Sequence, residues 1–287
     1  MIALTVALAV LVGVSLGLLG GGGSILMVPL LAYVAGMDAK QAIATSLLVV
    51  GATSAVGAVS HARAGRVQWR TALLFGVFAM AGAFTGGHLA RFIPGTVLLI
   101  AFAVMMIATA VAMLRGRKQA AQAGHDGLPV VKIMVEGLVV GLVTGLVGAG
   151  GGFLVVPALV LLGGLPMPIA VGTSLVVIAM KSFAGLGGYL ASVQIDWAVA
   201  GMVTAAAVLG GLIGARLTAR IDPEKLRQGF GWFVLIMAAV ILGQEIHVGV
   251  GGAAAALTVA AAGVVYGRNR TTRQPRRRSP AASADGR

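Results

Sequence analysis

The chain has no cysteine, which excludes disulfides, thiol catalysis and thiolate metal sites but does not by itself fix a compartment. Acidic residues are also scarce. Eight Asp and Glu occur in 287 residues, and charged residues of both signs make up 10%, where a soluble domain carries about a quarter. So few acids leave no obvious proton relay. The four histidines, His61, His88, His125 and His247, lie far apart, so neither a metal site nor a cofactor is expected. The glycine-rich phosphate loop of nucleotide-hydrolysing proteins is missing. Ser24 follows a glycine run but has no histidine at comparable depth in its half, which argues against a membrane hydrolase.

What the chain does have is apolar surface. Hydrophobic residues make up 59%, glycine contributes 44 positions, and the mean hydropathy is +1.00. Apolar runs recur at 2–19, 27–36, 42–60, 71–90, 96–114, 133–147, 153–165, 169–190, 197–215, 229–244 and 249–266. Several reach the roughly 20 residues that a helix needs to cross the hydrocarbon of a bilayer. The expected fold is all-α, a polytopic membrane protein. The first run lacks a positive n-region and a cleavage site, so it is read as mature structure rather than as a secretory signal. The wealth of Ala, Gly and Arg suits a GC-rich bacterial genome.

One element is written twice, 128 residues apart. Gly13 to Pro29 and Gly141 to Pro157 share Gly13, Gly17, Leu18, Gly20, Gly22, Gly23, Leu26, Val28 and Pro29 at that fixed offset. The register then holds without a gap. Ala42, Thr45, Ser46 and Leu47 match Ala170, Thr173, Ser174 and Leu175; Ser54 matches Ser182; Trp69 matches Trp197; Gly82 and Gly86 match Gly210 and Gly214. Matched polar, Trp and Pro positions over a hundred residues mean an internal duplication. The expected organisation is a first repeat at 1–114, a cytoplasmic connection at 115–132, a second repeat at 133–248, a further helix at 249–267 and a disordered basic cytoplasmic tail at 268–287.

Basic residues set the relative orientation of the halves, because Lys- and Arg-rich loops stay cytoplasmic. They cluster at 61–70 (Arg63, Arg66, Arg70), at 115–132 (Arg115, Arg117, Lys118, Lys132), at 216–228 (Arg216, Arg220, Lys225, Arg227) and from 268 onward. Four plain crossings per half would place the last two clusters outside. A glycine-broken hairpin that enters and leaves on one side, followed by three crossings, places all of them inside. The halves are then inverted repeats. The run 133–147 has 15 residues, about 22 Å at 1.5 Å per residue, which suits an arm that crosses partway.

Inverted repeats with broken helices are a recurrent plan of secondary transporters, with the substrate site where the broken ends meet. Irregular backbone at membrane depth is tolerated where it is buried or lines a cavity. Gly20, Gly21, Gly22, Gly23 and Ser24 in the first half, and Gly148, Gly150, Gly151 and Gly152 in the second, are therefore the expected substrate-binding positions. There the backbone permits close approach, and the N–H groups of the following arm offer the positive end of a helix dipole. The alternative is that these glycines serve tight helix packing only. The duplicated T-S-L motif adds Thr45 and Ser46 with Thr173 and Ser174, which are expected to open the helix after each hairpin. Their hydroxyls either cap that helix or touch the ligand.

Lys181 is the one basic residue deep inside an apolar segment, seven residues after Ser174, on the same face and about 10 Å further along. Charges at that depth are rare and point to function. Anion coordination is the expectation, with Thr53 as its uncharged counterpart. Gly82 with Gly86, and Gly210 with Gly214, have the spacing of close helix packing. Glu136 reads as an interfacial partner of Lys132, and Trp69 and Trp197 as interface anchors. The arginine-rich tail next to a last apolar run reads as contacting anionic headgroups rather than nucleic acid.

The duplicated G-x-x-G-x-G-G...P element followed by T-S-L, on a chain of two similar halves, resembles the TauE/SafE sulfite exporter family, also called the 4-toluenesulfonate uptake permease family, over about 1–248. That resemblance implies a multi-pass permease of the bacterial inner membrane for sulfur-containing anions such as sulfite or organosulfonates. It also implies about eight spans, so the run 249–266 is an addition. A permease for another small anion, or a non-transporting accessory or assembly protein, is the alternative reading.

Overall fold

The computed structural model describes residues 2–19, 22–114, 130–148, 151–161, 165–217 and 223–245, and every regular element among them is helical. The expected helix at 249–267, the basic tail and most of the connection 115–132 lie outside the described residues.

In chain order, α1 covers Ile2–Leu19. The arm after the first glycine cluster is composite: a 3-10 helix at Gly22–Leu26, a single α-turn, α2, at Met27–Pro29, and a π-helix at Leu30–Val34. Then come α3 (Ala39–Arg63), α4 (Trp69–Leu89) and α5 (Gly95–Leu114). The second half repeats the series as α6 (Val130–Val147), α7 (Gly152–Leu161), α8 (Met167–Leu190), α9 (Trp197–Leu217) and α10 (Pro223–Glu245). Among the described residues four helices, α3, α4, α8 and α9, are long and apolar enough to cross a membrane. The final helices of the two halves, α5 and α10, with 20 and 23 residues, pack on each other.

The directions of these helices establish the inversion independently of charge. Gly57 of α3 faces Leu175 of α8, Gly51 faces Ser182, and Gly185 faces Leu47. Residue numbers rise along one helix as they fall along the other, so α3 and α8 are antiparallel. Because they are copies of one element, the halves are inverted. These contacts are symmetric about Ala52 and Met180, close to the middle of each helix. The remaining contacts run in parallel: Gly13 and Gly17 of α1 meet Ala207 and Gly211 of α9, Gly141 and Gly145 of α6 meet Ala79 and Ala83 of α4, and Gly76 and Gly87 of α4 meet Met180 and Gly185 of α8. Each first arm thus packs on a helix of the opposite half. With α9 antiparallel to α8, α1 runs the same way as α3, and the chain between them has to turn back. The 22–34 arm makes that return, with Gly23 seated on Ser15 and Leu16.

Glycine makes these approaches possible. A β-carbon on Gly82 or Gly86 of α4 would strike the carbonyls of Leu138 and Leu142, and one on Gly210 or Gly214 of α9 would strike those of Val10 and Val14. This is the small-residue packing of membrane helices, where bare backbone lets two axes come close. Helix ends follow local chemistry. Asp196 Oδ1 accepts the N–H groups of Ala198 and Val199 at the start of α9, 3.0 and 3.1 Å away, as an N-terminal carboxylate does. Trp69 and Trp197 open α4 and α9 and are largely exposed, which suits interfacial anchors.

The arms differ from expectation in length. α6 has 18 residues rather than 15, and α1 also has 18, about 27 Å each. The polar Lys132 hid the start of α6 from an apolarity pattern, since the backbone hydrogen bonds of a helix do not require apolar side chains. The return arms are the short members: α7 has 10 residues, about 15 Å.

Candidate functional site

The second glycine turn is the better defined of the two. α6 ends at Val147, and Gly148 and Gly151 adopt φ of +70° and +60°, left-handed values that only glycine takes freely. The N–H groups of Leu154 and Val155 already donate to Gly151 O, 3.0 Å away, so α7 begins at once. The turn passes beyond the level of Lys181 and comes back to it. Gly148 lies on Ile43 of α3, and Ser46 Oγ, with one proton to share, stands 2.7 Å from Gly148 O and 2.8 Å from Ile43 O. Three residues later, a β-carbon on Gly151 would collide with Lys181 Nζ and Thr144 Cγ2.

Lys181 is 1% exposed. Its Nζ donates to Thr144 Oγ1 at 2.8 Å, and Thr144 in turn donates to Val140 O at 2.7 Å. Among the described residues no other partner of the ammonium is seen. A buried charge demands compensation, and one neutral hydroxyl supplies little of it. The ammonium and the N-terminus of α7 meet at Gly151, and both favour negative charge. Among the described residues the first half has no such centre. At the equivalent positions stand Thr53, Leu16 and Gly23, and Thr53 Oγ1 donates to Val49 O at 2.7 Å.

The other expected residues divide. Gly22, Gly23 and Ser24 form the start of the first return arm, and Ser24 is fully buried. This 3-10 segment packs against α7, so the return arms of the two halves meet. Gly152 opens α7. Gly20, Gly21 and Gly150 lie outside the described residues. The T-S-L motifs do not open their helices. α3 starts at Ala39 after Asp38, and α8 at Met167 after Pro166, six residues earlier in each case. Asp38, Lys40 and Gln41 make that first turn polar, which hid it from an apolarity pattern, and Pro166 sets the start of α8 through its fixed φ. The N-terminal dipole therefore does not act at Thr45 or Thr173. Thr45 instead lines a pocket of about 280 Å³ with Gln41, Thr5 and Asp196. Thr173 Oγ1 accepts the N–H of Gln68 at 3.0 Å, tying α8 to the α3–α4 turn, and Ser174 donates to Val171 O at 2.8 Å. A wider cavity of about 670 Å³ opens beside the start of α3, lined by Lys40, Gln41, Gln194 and Glu245.

Thr144 was not among the expected residues. It is the one hydroxyl in the run 133–147, and that isolation was the available signal. Tyr33, whose hydroxyl donates to Glu245 Oε1 at 3.2 Å, joins the first return arm to the end of α10 and was also not anticipated.

Two inverted repeats of membrane helices, with glycine-broken arms that meet each other and a buried lysine at the start of one of them, define a multi-pass membrane protein of the transporter class. The family model for the sulfite exporter TauE/SafE matches residues 5–241, and the chain belongs to that family. A probable membrane transporter protein of Xylella fastidiosa is 35% identical over 238 residues, 81% of this chain and 91% of that protein. The probable membrane transporter protein YdhB of Bacillus subtilis is 30% identical over 212 residues, covering 72% and 86%. No solved structure matches the chain.

Proposed function

We propose that this protein is a secondary transporter for small sulfur-containing oxoanions, sulfite or organosulfonates, in the bacterial inner membrane, and that it performs no enzymatic chemistry. Its basic segments and C-terminus face the cytoplasm. The observation that carries this reading is the Lys181 ammonium, buried against Gly151 at the start of α7 with only the Thr144 hydroxyl as its described partner. An anion arriving there neutralises the lysine and meets the N-terminal dipole of α7. The choice of sulfur oxoanions over other anions is supported by family membership.

Flux into liposomes tests this. Reconstituted protein is expected to move labelled sulfite or a small sulfonate, and Lys181→Met to lower that flux at least tenfold while leaving insertion and the elution profile unchanged. Flux of another anion alone would redirect the substrate reading. Silence of the wild type across a broad anion panel would instead favour the accessory role.

A further inference from the structure

Many hydroxyls inside these helices share one habit. Thr53, Thr85, Thr109, Thr144, Ser174 and Thr204 each donate to a carbonyl three or four residues back, at 2.6 to 2.8 Å, the default for hydroxyls in apolar surroundings. Ser54 and Ser182 depart from it. They are 0% and 1% exposed, and neither hydroxyl has a hydrogen-bond partner among the described residues. A buried hydroxyl left unsatisfied costs about 1–3 kcal/mol. The two serines are the same position of the repeat, so the departure belongs to the repeat rather than to one local accident.

Their place in the fold is as telling. Both lie two residues from the point about which the α3–α8 contact is symmetric. Ser182 follows Lys181 directly, and its Cβ sits 3.3 Å from where a β-carbon of Gly51 would stand. Gly51 is one turn before Ser54 on α3. One unused donor thus stands on each of two antiparallel helices, close to their crossing, and Ser182 adjoins in sequence the residue that carries the charge.

We propose that Ser54 and Ser182 are a symmetric pair of substrate ligands, donating to separate oxygens of the oxoanion as α3 and α8 part during transport. The inference rests on the transport reading above and adds to it a requirement on the substrate: at least two acceptor oxygens that can be reached from opposite helices. A sulfite or sulfonate group meets it. Because one donor comes from each half, the pair is equally available to an anion entering from either side.

The test uses Ser54→Ala, Ser182→Ala and the double variant in the full chain, reconstituted in liposomes with labelled sulfite and a small sulfonate, with unfolding followed in detergent. Each single variant is expected to raise KM about tenfold or more, the range for a lost hydrogen bond to a charged group. The double variant should lose saturable flux, and unfolding midpoints should stay level or rise because an unsatisfied hydroxyl has been removed. Wild-type kinetics in both single variants would overturn the inference while leaving the transport reading intact. Loss of flux in parallel with a lowered unfolding midpoint would also overturn it, since the serines would then be structural. A wild type that moves neither anion would overturn both.

Discussion

Gly151→Ala separates the site from its scaffold more sharply than removal of the lysine does. Gly151 has φ +60°, so alanine there carries a left-handed strain of about 1–2 kcal/mol. Gly65→Ala carries the same strain, because Gly65 has φ +67°. The two differ in surroundings: a β-carbon on Gly65 meets nothing within 4 Å, whereas one on Gly151 strikes Lys181 Nζ and Thr144 Cγ2. To admit the methyl group, the ammonium has to leave Thr144 Oγ1, and a hydrogen bond to a charged group contributes about 1.5–3 kcal/mol. The two variants should therefore show similar losses from backbone strain, and only Gly151→Ala should also displace the charge. The expected result is near-wild-type flux for Gly65→Ala and a fall of roughly tenfold to a hundredfold for Gly151→Ala, with both proteins monodisperse in detergent. Equal flux from the two variants would refute the placement of the anion beside Gly151.

Thr144→Val keeps shape but removes the acceptor of the Lys181 ammonium; it should lower the unfolding midpoint, whereas Thr144→Val combined with Lys181→Met should recover it, because a buried pair removed together leaves nothing unsatisfied. Gly82→Leu should abolish the monodisperse peak, since its β-carbon meets the Leu138 carbonyl and the Leu142 nitrogen and overpacking of this kind costs about 1–3 kcal/mol or more; Gly201→Leu, with nothing within 4 Å, should be tolerated. The absence of cysteine makes the topology directly readable. Asp38→Cys and Ser192→Cys line the same cavity and should react with an impermeant maleimide from outside intact cells, while Ala64→Cys, at the other end of α3, should react only after lysis; labelling of all three from one side would contradict the inversion.

Much of this architecture was legible in one dimension. The fixed offset of 128 residues exposed the repeat because matched Trp, Pro and Ser positions are improbable in apolar sequence, and basic loops reported the inversion because the membrane sorts charge by side. Gly82 with Gly86 and Gly210 with Gly214 gave the close helix packing from spacing alone. Less legible were helix starts. Polar first turns at Asp38 to Gln41 and a proline at 166 lie outside any apolar pattern, and they shifted the T-S-L motifs from the helix mouth to a point about two turns in.

The sequence by itself determined that the chain is a duplicated, inverted membrane protein with glycine-broken arms and one buried lysine, because repetition, hydropathy and charge are all properties read along the chain. Tertiary structure alone decided which half each arm packs on, that Thr144 holds Lys181, that Ser46 reaches Gly148 across 102 residues, and that Ser54 and Ser182 are left without partners among the described residues. Those facts depend on the crossings of helices distant in sequence, where the position of bare glycine backbone rather than local periodicity sets the register.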